Sequence, residues 1–358
     1  MVGRIRVEDI ETPALLLDMD KLEANISRMS EFVKDKSAKL RPHFKTVKCP
    51  KIAHMQLDAG AKGITCAKCG EAEVLVQAGV KDILIANQFM DPAKLLRVAG
   101  MAKSGARMTI LVDTEEGAAE VSDAAVQCGT EIHVLIEVDV GMGRCGVNTP
   151  EEVYAIAQKV LGAPGVVFDG LQAYEGHLSH IPDEEKRREG VARMVEKVTG
   201  IVSFLREHGI EVKEISGGGT GTYDITGGNT IWTEIQAGSY PFMDLEYNKL
   251  GLMFENSLTV LTTVIHKRDG AAVTDAGSKS CGTDQGLPAI KGYPRISVAL
   301  NEEHGRLHDA GNQLRLKQKV EYIPGHCCST VNLNDNYYCV RGGYLEAVWP
   351  ILARGKTR

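Results

Sequence analysis

An arginine, a histidine and a lysine stand close together in RPHFKTVKC, residues 41–49, at the end of a predicted strand. A lysine becomes a useful amine nucleophile where its surroundings lower its pKa, and Schiff-base formation with a carbonyl cofactor is a common use of such an amine. Lys45 is therefore the candidate covalent anchor, with His43 beside it. Further on, VDVGMGRCG (138–146) supplies Arg144 and AYEGH (173–177) supplies Tyr174 and His177. The glycine run in SGGGTGTYD (216–224) offers backbone N–H groups and threonine hydroxyls, equipment for holding a phosphate by a nest of donors. AGSY (237–240) is a second piece suited to the same cup. Neither matches a GxGxxG fingerprint or a Walker lysine loop, which disfavours NAD and ATP. Near the end, PGHCCSTVNLND (324–335) sets His326 and Cys328 two apart; on an extended strand they share a face and suit one divalent ion. Two protein ligands leave coordination positions open, as a catalytic metal requires.

These residues need a scaffold that brings them together. From about residue 12 to 240, short apolar runs alternate with amphipathic stretches, the pattern of repeated β-α units around a parallel sheet. Candidate strands are 13–18, 39–44, 63–67, 82–87, 107–113, 131–139, 166–174, 211–219 and 233–238, one more than an eight-stranded barrel holds. Stretches such as DPAKLLRVAGMAKSG and PEEVYAIAQKVLG carry helical apolar spacing with proline starts and glycine stops. In an eight-fold barrel the working residues stand at the C-terminal ends of strands, and Lys45, Arg144, Tyr174 and the glycine run all follow predicted strands. After about residue 245, β-branched runs separated by turns, with hairpin cues RDG at 268–270 and NEEHG at 301–305, predict a smaller, mostly antiparallel β-domain. The expected organisation is a (β/α)8 TIM-type barrel over 12–245 followed by a β-domain over 246–358.

The composition of the 358 residues, 43% hydrophobic and 25% charged, is that of a globular protein, and a net charge of −6 argues against nucleic acid as a partner. No apolar run is long enough for a membrane span and the N-terminus lacks a signal-peptide pattern, so a cytoplasmic location is expected. Nine cysteines without export signals predict mostly reduced thiols. The CxxC of Cys66 and Cys69 reads either as a redox or half-zinc motif or as a buried residue opening a helix.

Taken in order, TPALLLD, RPHFKT, GITCAKCGEAEVL, EVDVGMGRCGV, QAYEGH, SGGGTGTYD, AGSY with Asp244 four residues on, and PGHCCSTVNL resemble the D-threonine aldolase and D-serine dehydratase family over essentially the whole chain. These are pyridoxal-phosphate enzymes with an alanine-racemase-like barrel. The resemblance implies that Lys45 forms the Schiff base with pyridoxal 5'-phosphate, that Arg144 faces the pyridine nitrogen, and that Tyr174 sits beside the Schiff base. It implies further that Gly218, Gly219 and Thr220, with Gly238, Ser239 and Tyr240, hold the phosphate. It places His326 and Cys328 on the family's metal positions for zinc, manganese or magnesium, and assigns the first strand, within 1–18, to the β-domain. A homodimer is implied as well.

Two residues point to different reactions. His180, six after Tyr174, stands where the family's aldolases carry the histidine that deprotonates the substrate hydroxyl. Cys328 stands where the aldolases usually have aspartate and the dehydratases cysteine, a ligand that suits zinc. The leading expectation is retro-aldol cleavage of a D-β-hydroxy-α-amino acid such as D-threonine to glycine and an aldehyde. The alternative is dehydration of D-serine, D-threonine or 3-hydroxyaspartate to a 2-oxo acid and ammonia. Racemization requires a second base for which no pattern is evident, and a cofactor-carrying regulatory protein would not require the metal pair.

Overall fold

The computed structural model describes residues 5–358. The strands, in chain order, are β1 (Ala14–Asp18), β2 (Lys39–Leu40), β3 (Ile64–Cys66), β4 (Asp82–Ile85), β5 (Arg107–Val112), β6 (Ile132–Glu137), β7 (Val166–Ala173), β8 (Glu214–Gly217) and β9 (Glu234–Ile235). They continue with β10 (Leu258–Arg268), β11 (Ala271–Thr274), β12 (Ala289–Ile290), β13 (Ser297–Leu300), β14 (Gly305–His308), β15 (Lys319–Ile323), β16 (Asn336–Arg341) and β17 (Tyr344–Pro350). Two compact units result: one holds residues 5–29, 46–51 and 239–355, the other 30–45, 52–238 and 356–358.

In the second of these, β2 to β9 form one parallel sheet in the order β2-β9-β8-β7-β6-β5-β4-β3. A parallel bridge between His43 and Thr65 joins the two end strands, curling the sheet into the expected barrel. Strands such as RMTILV and IHVLIE are almost continuously buried because helices cover a parallel sheet outside and side chains fill it inside. Leu84, Leu111 and Leu135 pack together across β4, β5 and β6. The helices begin where the sequence caps them. Asp91 accepts from the Ala93 N–H ahead of Pro92–Lys103, and Thr149 and Glu152 form a capping box around Pro150–Leu161.

The surplus strand lies outside this sheet: β1 pairs antiparallel with β10 and parallel with β16 in the other unit's mixed, mostly antiparallel sheet. Ile10, Ala14, Leu16 and Leu261 form a core cluster there. Both hairpin cues form hairpins, β10–β11 across Asp269 and Gly270 and β13–β14 across 301–304; Gly270 adopts φ +67°, the left-handed conformation its turn needs.

Two local expectations fail. The strand expected over 39–44 stops at Leu40 and the chain turns into a four-residue helix, Phe44–Val47, carrying Lys45. Pro42 has no N–H for the ladder, although bonds from Arg41 N to Ile235 O and from His43 N to Ala237 O keep this segment on the barrel. Nor is 326–328 extended. After Pro324 and Gly325 a helix, Cys327–Leu333, starts with His326 as its N-cap residue. It is fixed by Asp244, which accepts from the Cys327 N–H at 2.9 Å, and by Thr330, whose hydroxyl donates to His326 O at 2.8 Å.

Candidate active site

The barrel's two ends use their polar residues differently. Arg41, read from the sequence as a companion of Lys45, belongs to the N-terminal end. Its guanidinium bonds Asp82 at the start of β4 (2.7 Å) and Glu234 at the start of β9 (2.9 Å). Burial would lower the arginine's pKa, but the two carboxylates raise it further; Glu234, for which burial works upward, is held low by Arg41 and Lys62. This is a buried structural network, and it takes Arg41 out of the cluster at the opposite end.

At the C-terminal ends of the strands a cavity of about 260 Å³ is lined by His43, Lys45, Arg144, Gln172, Tyr174 and Gln236 among others. The spacing-based candidates Lys45, His43, Arg144 and Tyr174 thus come together. The half-buried Lys45 ammonium lies 5.8 Å from the centre of the Tyr174 ring. Arg144 stands 3.8 Å from the buried Glu137 carboxylate, whose pKa is raised by burial and partly restored by Gln88 and Arg144. Gln236 donates to Gln172 (2.6 Å) and to Ser216 (2.7 Å), closing a polar layer inside the barrel mouth.

The glycine run is built more tightly than a row of free donors. Gly218, at φ +76°, donates its N–H to Glu175 at 3.0 Å, and Gly219 donates its N–H to the Thr222 hydroxyl at 3.2 Å. Glu175 is fully buried and also accepts from the Thr222 and Thr226 hydroxyls, at 2.6 and 2.5 Å. A Cβ on Gly219 would stand 2.7 Å from Ser179 Oγ and 3.5 Å from the Tyr174 ring, so this glycine is required by close approach. Ser179 Oγ is buried with no hydrogen-bond partner, an orphaned donor beside the run, and an acceptor-rich group such as a phosphate would satisfy it. Glu175 and Ser179 escaped sequence reasoning although Glu175 lies inside the quoted AYEGH motif and Ser179 two residues after it. His180 is exposed on the turn after Gly176–Leu178 and is not among the residues lining the cavity. Gly238 follows β9 in the barrel unit.

In the β-rich unit, His326 and Cys328 come together despite the helical backbone, because the N-cap and the first turn place their side chains side by side. Cys328 also lies 3.1 Å from Thr46 Oγ1 and 3.9 Å from Ser239 Oγ, while Tyr240 is buried against Phe254. Hydrogen bonds from Cys327, then from His326 and Thr46, hold the Cys328 thiol well below the ordinary range against the opposing effect of burial. His326 moves the other way: burial would lower it, yet Cys328 and Asp284 push it up to about 9. Asp284, missed in the sequence, accepts from His326 Nδ1 at 2.6 Å and also from Ser329. A thiolate and an imidazole whose Nδ1 is tied to a carboxylate form a donor pair suited to a divalent ion such as zinc. Among the described residues no group of three or more His, Cys, Asp or Glu side chains is arranged to hold a metal. The CxxC shows no reactive character: Cys66 and Cys69 are buried, Cys69 opens a helix, and burial pushes its thiol up to about 11.

Comparison with known proteins decides the family. Residues 17–245 match the model of the alanine racemase N-terminal domain, and 257–340 that of a putative serine dehydratase domain. A D-threonine aldolase from Arthrobacter sp. is 42% identical over 98% of this chain and 94% of its own length. The chain belongs to the D-threonine aldolase and D-serine dehydratase family. A 3-hydroxy-D-aspartate aldolase from Paracoccus denitrificans (strain Pd 1222) is 38% identical over 97% of this chain and 93% of its own. The crystal structure of D-threonine aldolase from Filomicrobium marinum superposes with a TM-score of 0.96 at 36% identity, covering 99% of this chain and 98% of that one. A D-threo-3-hydroxyaspartate dehydratase from Delftia sp. (strain HT23) is 29% identical over 90% of this chain and 92% of its own. This family member is a pyridoxal-phosphate-dependent lyase.

Proposed function

We propose that the protein cleaves D-β-hydroxy-α-amino acids of the D-threonine type to glycine and an aldehyde, using pyridoxal phosphate and a divalent metal. The observation that carries this reading is the meeting of Lys45, Tyr174 and the glycine run at one barrel mouth, in a chain 42% identical to a D-threonine aldolase. When bound, pyridoxal phosphate supplies the carbonyl to which Lys45 attaches and the electron sink for the bond broken at Cα. Arg144, which lines the cavity, would serve the ring nitrogen as a donor that does not surrender its proton. Tyr174 stacks beside Lys45. Ser179, whose hydroxyl is unpartnered, would donate to the phosphate, and the run Gly218, Gly219 and Thr220 with Gly238 would line its seat.

His326 and Cys328 hold the metal, whose chemistry is to lower the pKa of the substrate's β-hydroxyl. Asp284 would fix the imidazole by holding its Nδ1. His180 takes the proton from the β-hydroxyl oxygen as the Cα–Cβ bond breaks and the C=O of the aldehyde forms. Cys328 favours the second reading, β-elimination to a 2-oxo acid and ammonia, because a thiolate is the softer ligand. Aldolase is preferred because a base at position 180 is required for cleavage, whereas a change of ligand alters only the preferred ion.

The test is to incubate the protein, loaded with cofactor and with zinc, manganese or magnesium in turn, with D-threonine, D-3-hydroxyaspartate and D-serine. Glycine and aldehyde are expected. Ammonia and 2-oxo acid without glycine would replace the aldolase with the dehydratase, and no product from any of the three would refute both. A homodimer belongs to this reading and is checked by light scattering; so does a cytoplasmic location, checked by cell fractionation. Among the described residues no helix is long and apolar enough to cross a membrane.

A further inference from the structure

The β-rich unit carries a second concave site on the four-stranded patch β13-β14-β11-β10. The register sets Arg268 and His308 on either side of Ala271, and His266 and Arg306 on either side of Val273. Because side chains alternate along strands, these residues share one face. Two strand spacings separate the members of each row by about 10 Å, and the rows lie about 7 Å apart. The four basic side chains therefore stand at the corners of a small rectangle whose floor is Ala271 and Val273, short enough to leave a cavity of about 350 Å³ above them.

All four side chains are exposed, and among the described residues none makes a side-chain hydrogen bond or ion pair. Three nearby acids are engaged elsewhere. Asp269 accepts from Asn312, Asp309 caps the Gln313 and Leu314 N–H groups and faces Lys267, and Glu303 pairs with Lys279. Like-charged neighbours across a sheet are destabilising, and this chain carries a net charge of −6, so two uncompensated arginines flanked by two histidines on one face run against its overall balance.

We propose that this face is a binding site for a small organic dianion, a phosphorylated or dicarboxylate molecule, held by the Arg268 and Arg306 guanidiniums from opposite corners while His266 and His308 donate hydrogen bonds. Two guanidiniums on one diagonal match two separated negative groups, and each presents a planar fork to carboxylate or phosphate oxygens.

The test is isothermal titration of the cofactor-loaded protein with pyrophosphate and, separately, succinate, at ionic strength fixed with sodium chloride. Saturable binding of one molecule per chain is expected for at least one probe, and which probe binds tells phosphate from carboxylate recognition. In Arg268→Ala/Arg306→Ala the dissociation constant should rise at least tenfold with lyase activity in the absence of the dianion unchanged, while Arg268→Lys/Arg306→Lys should fall between. No saturable binding of either probe, or equal binding by the alanine double variant, would overturn the proposal. So would binding of polyglutamate alone, which would make the face an acidic-protein surface. A change of oligomeric state in the double variant without loss of a binding event would make it a subunit contact instead.

Discussion

Replacing Glu175 with glutamine removes one charge and changes one atom type at the centre of the glycine run. Its Oε1 accepts from both threonine hydroxyls and its Oε2 from the Gly218 N–H. If the amide nitrogen takes the Oε2 position, donor faces donor and the buried Gly218 N–H is left unsatisfied, costing roughly 1–3 kcal/mol. If the amide flips, the hydroxyls of Thr222 and Thr226 must give up their acceptor, at a similar cost. In either orientation the surviving bonds lose their charge assistance. A net loss of about 2 kcal/mol in loop order, recovered only when cofactor binds, raises the dissociation constant of pyridoxal phosphate roughly 30-fold. The assay is titration of the cofactor-free protein with pyridoxal phosphate, followed by the absorbance of the lysine adduct, with thermal melting alongside. Unchanged or tighter binding by Glu175→Gln would refute the reasoning, since it would mean that the carboxylate merely opposes the phosphate's charge.

Other substitutions separate the remaining roles. His180→Ala should lower glycine production from D-threonine by about 100-fold or more at saturating metal, leaving cofactor absorbance intact; if elimination products appear at an unchanged rate instead, the base serves no cleavage step. Asp284→Asn should weaken zinc or cobalt binding by about 10- to 100-fold in a titration that needs no turnover, because His326 loses the partner that orients it. Asp169, on which burial acts upward, is held below the usual carboxylate value by His133 and Arg107. A depressed folded-state pKa means that its stabilisation is present at neutral pH and is lost as pH falls through that value. Asp169→Asn should therefore lower the melting temperature at pH 7, and the gap from the unsubstituted protein should narrow in acid.

The alternation of apolar runs with capped helices carried the barrel and the antiparallel unit in the sequence, because period and capping are local properties that neighbouring residues report to one another. The same locality made Lys45, Arg144, Tyr174 and the glycine run legible: each follows a strand, and a barrel gathers strand ends. From spacing the surplus strand was visible only as a count; the family resemblance assigned it to the β-domain, and the β1–β10 and β1–β16 pairings put it there. Tertiary structure decided the rest. Arg41 went to the opposite end of the barrel because Asp82 and Glu234 wait there, 41 and 193 residues away. The segment 326–328 became a helix start because Asp244 caps it from 83 residues away. Glu175 lies 43 residues before Gly218, and Asp284 lies 42 before His326. No local period encodes such partners. A buried carboxylate finds its donors only once the chain has closed around it, and so the residues that hold the candidate site in place come from the fold, whereas those proposed for its chemistry could be read in order along the chain.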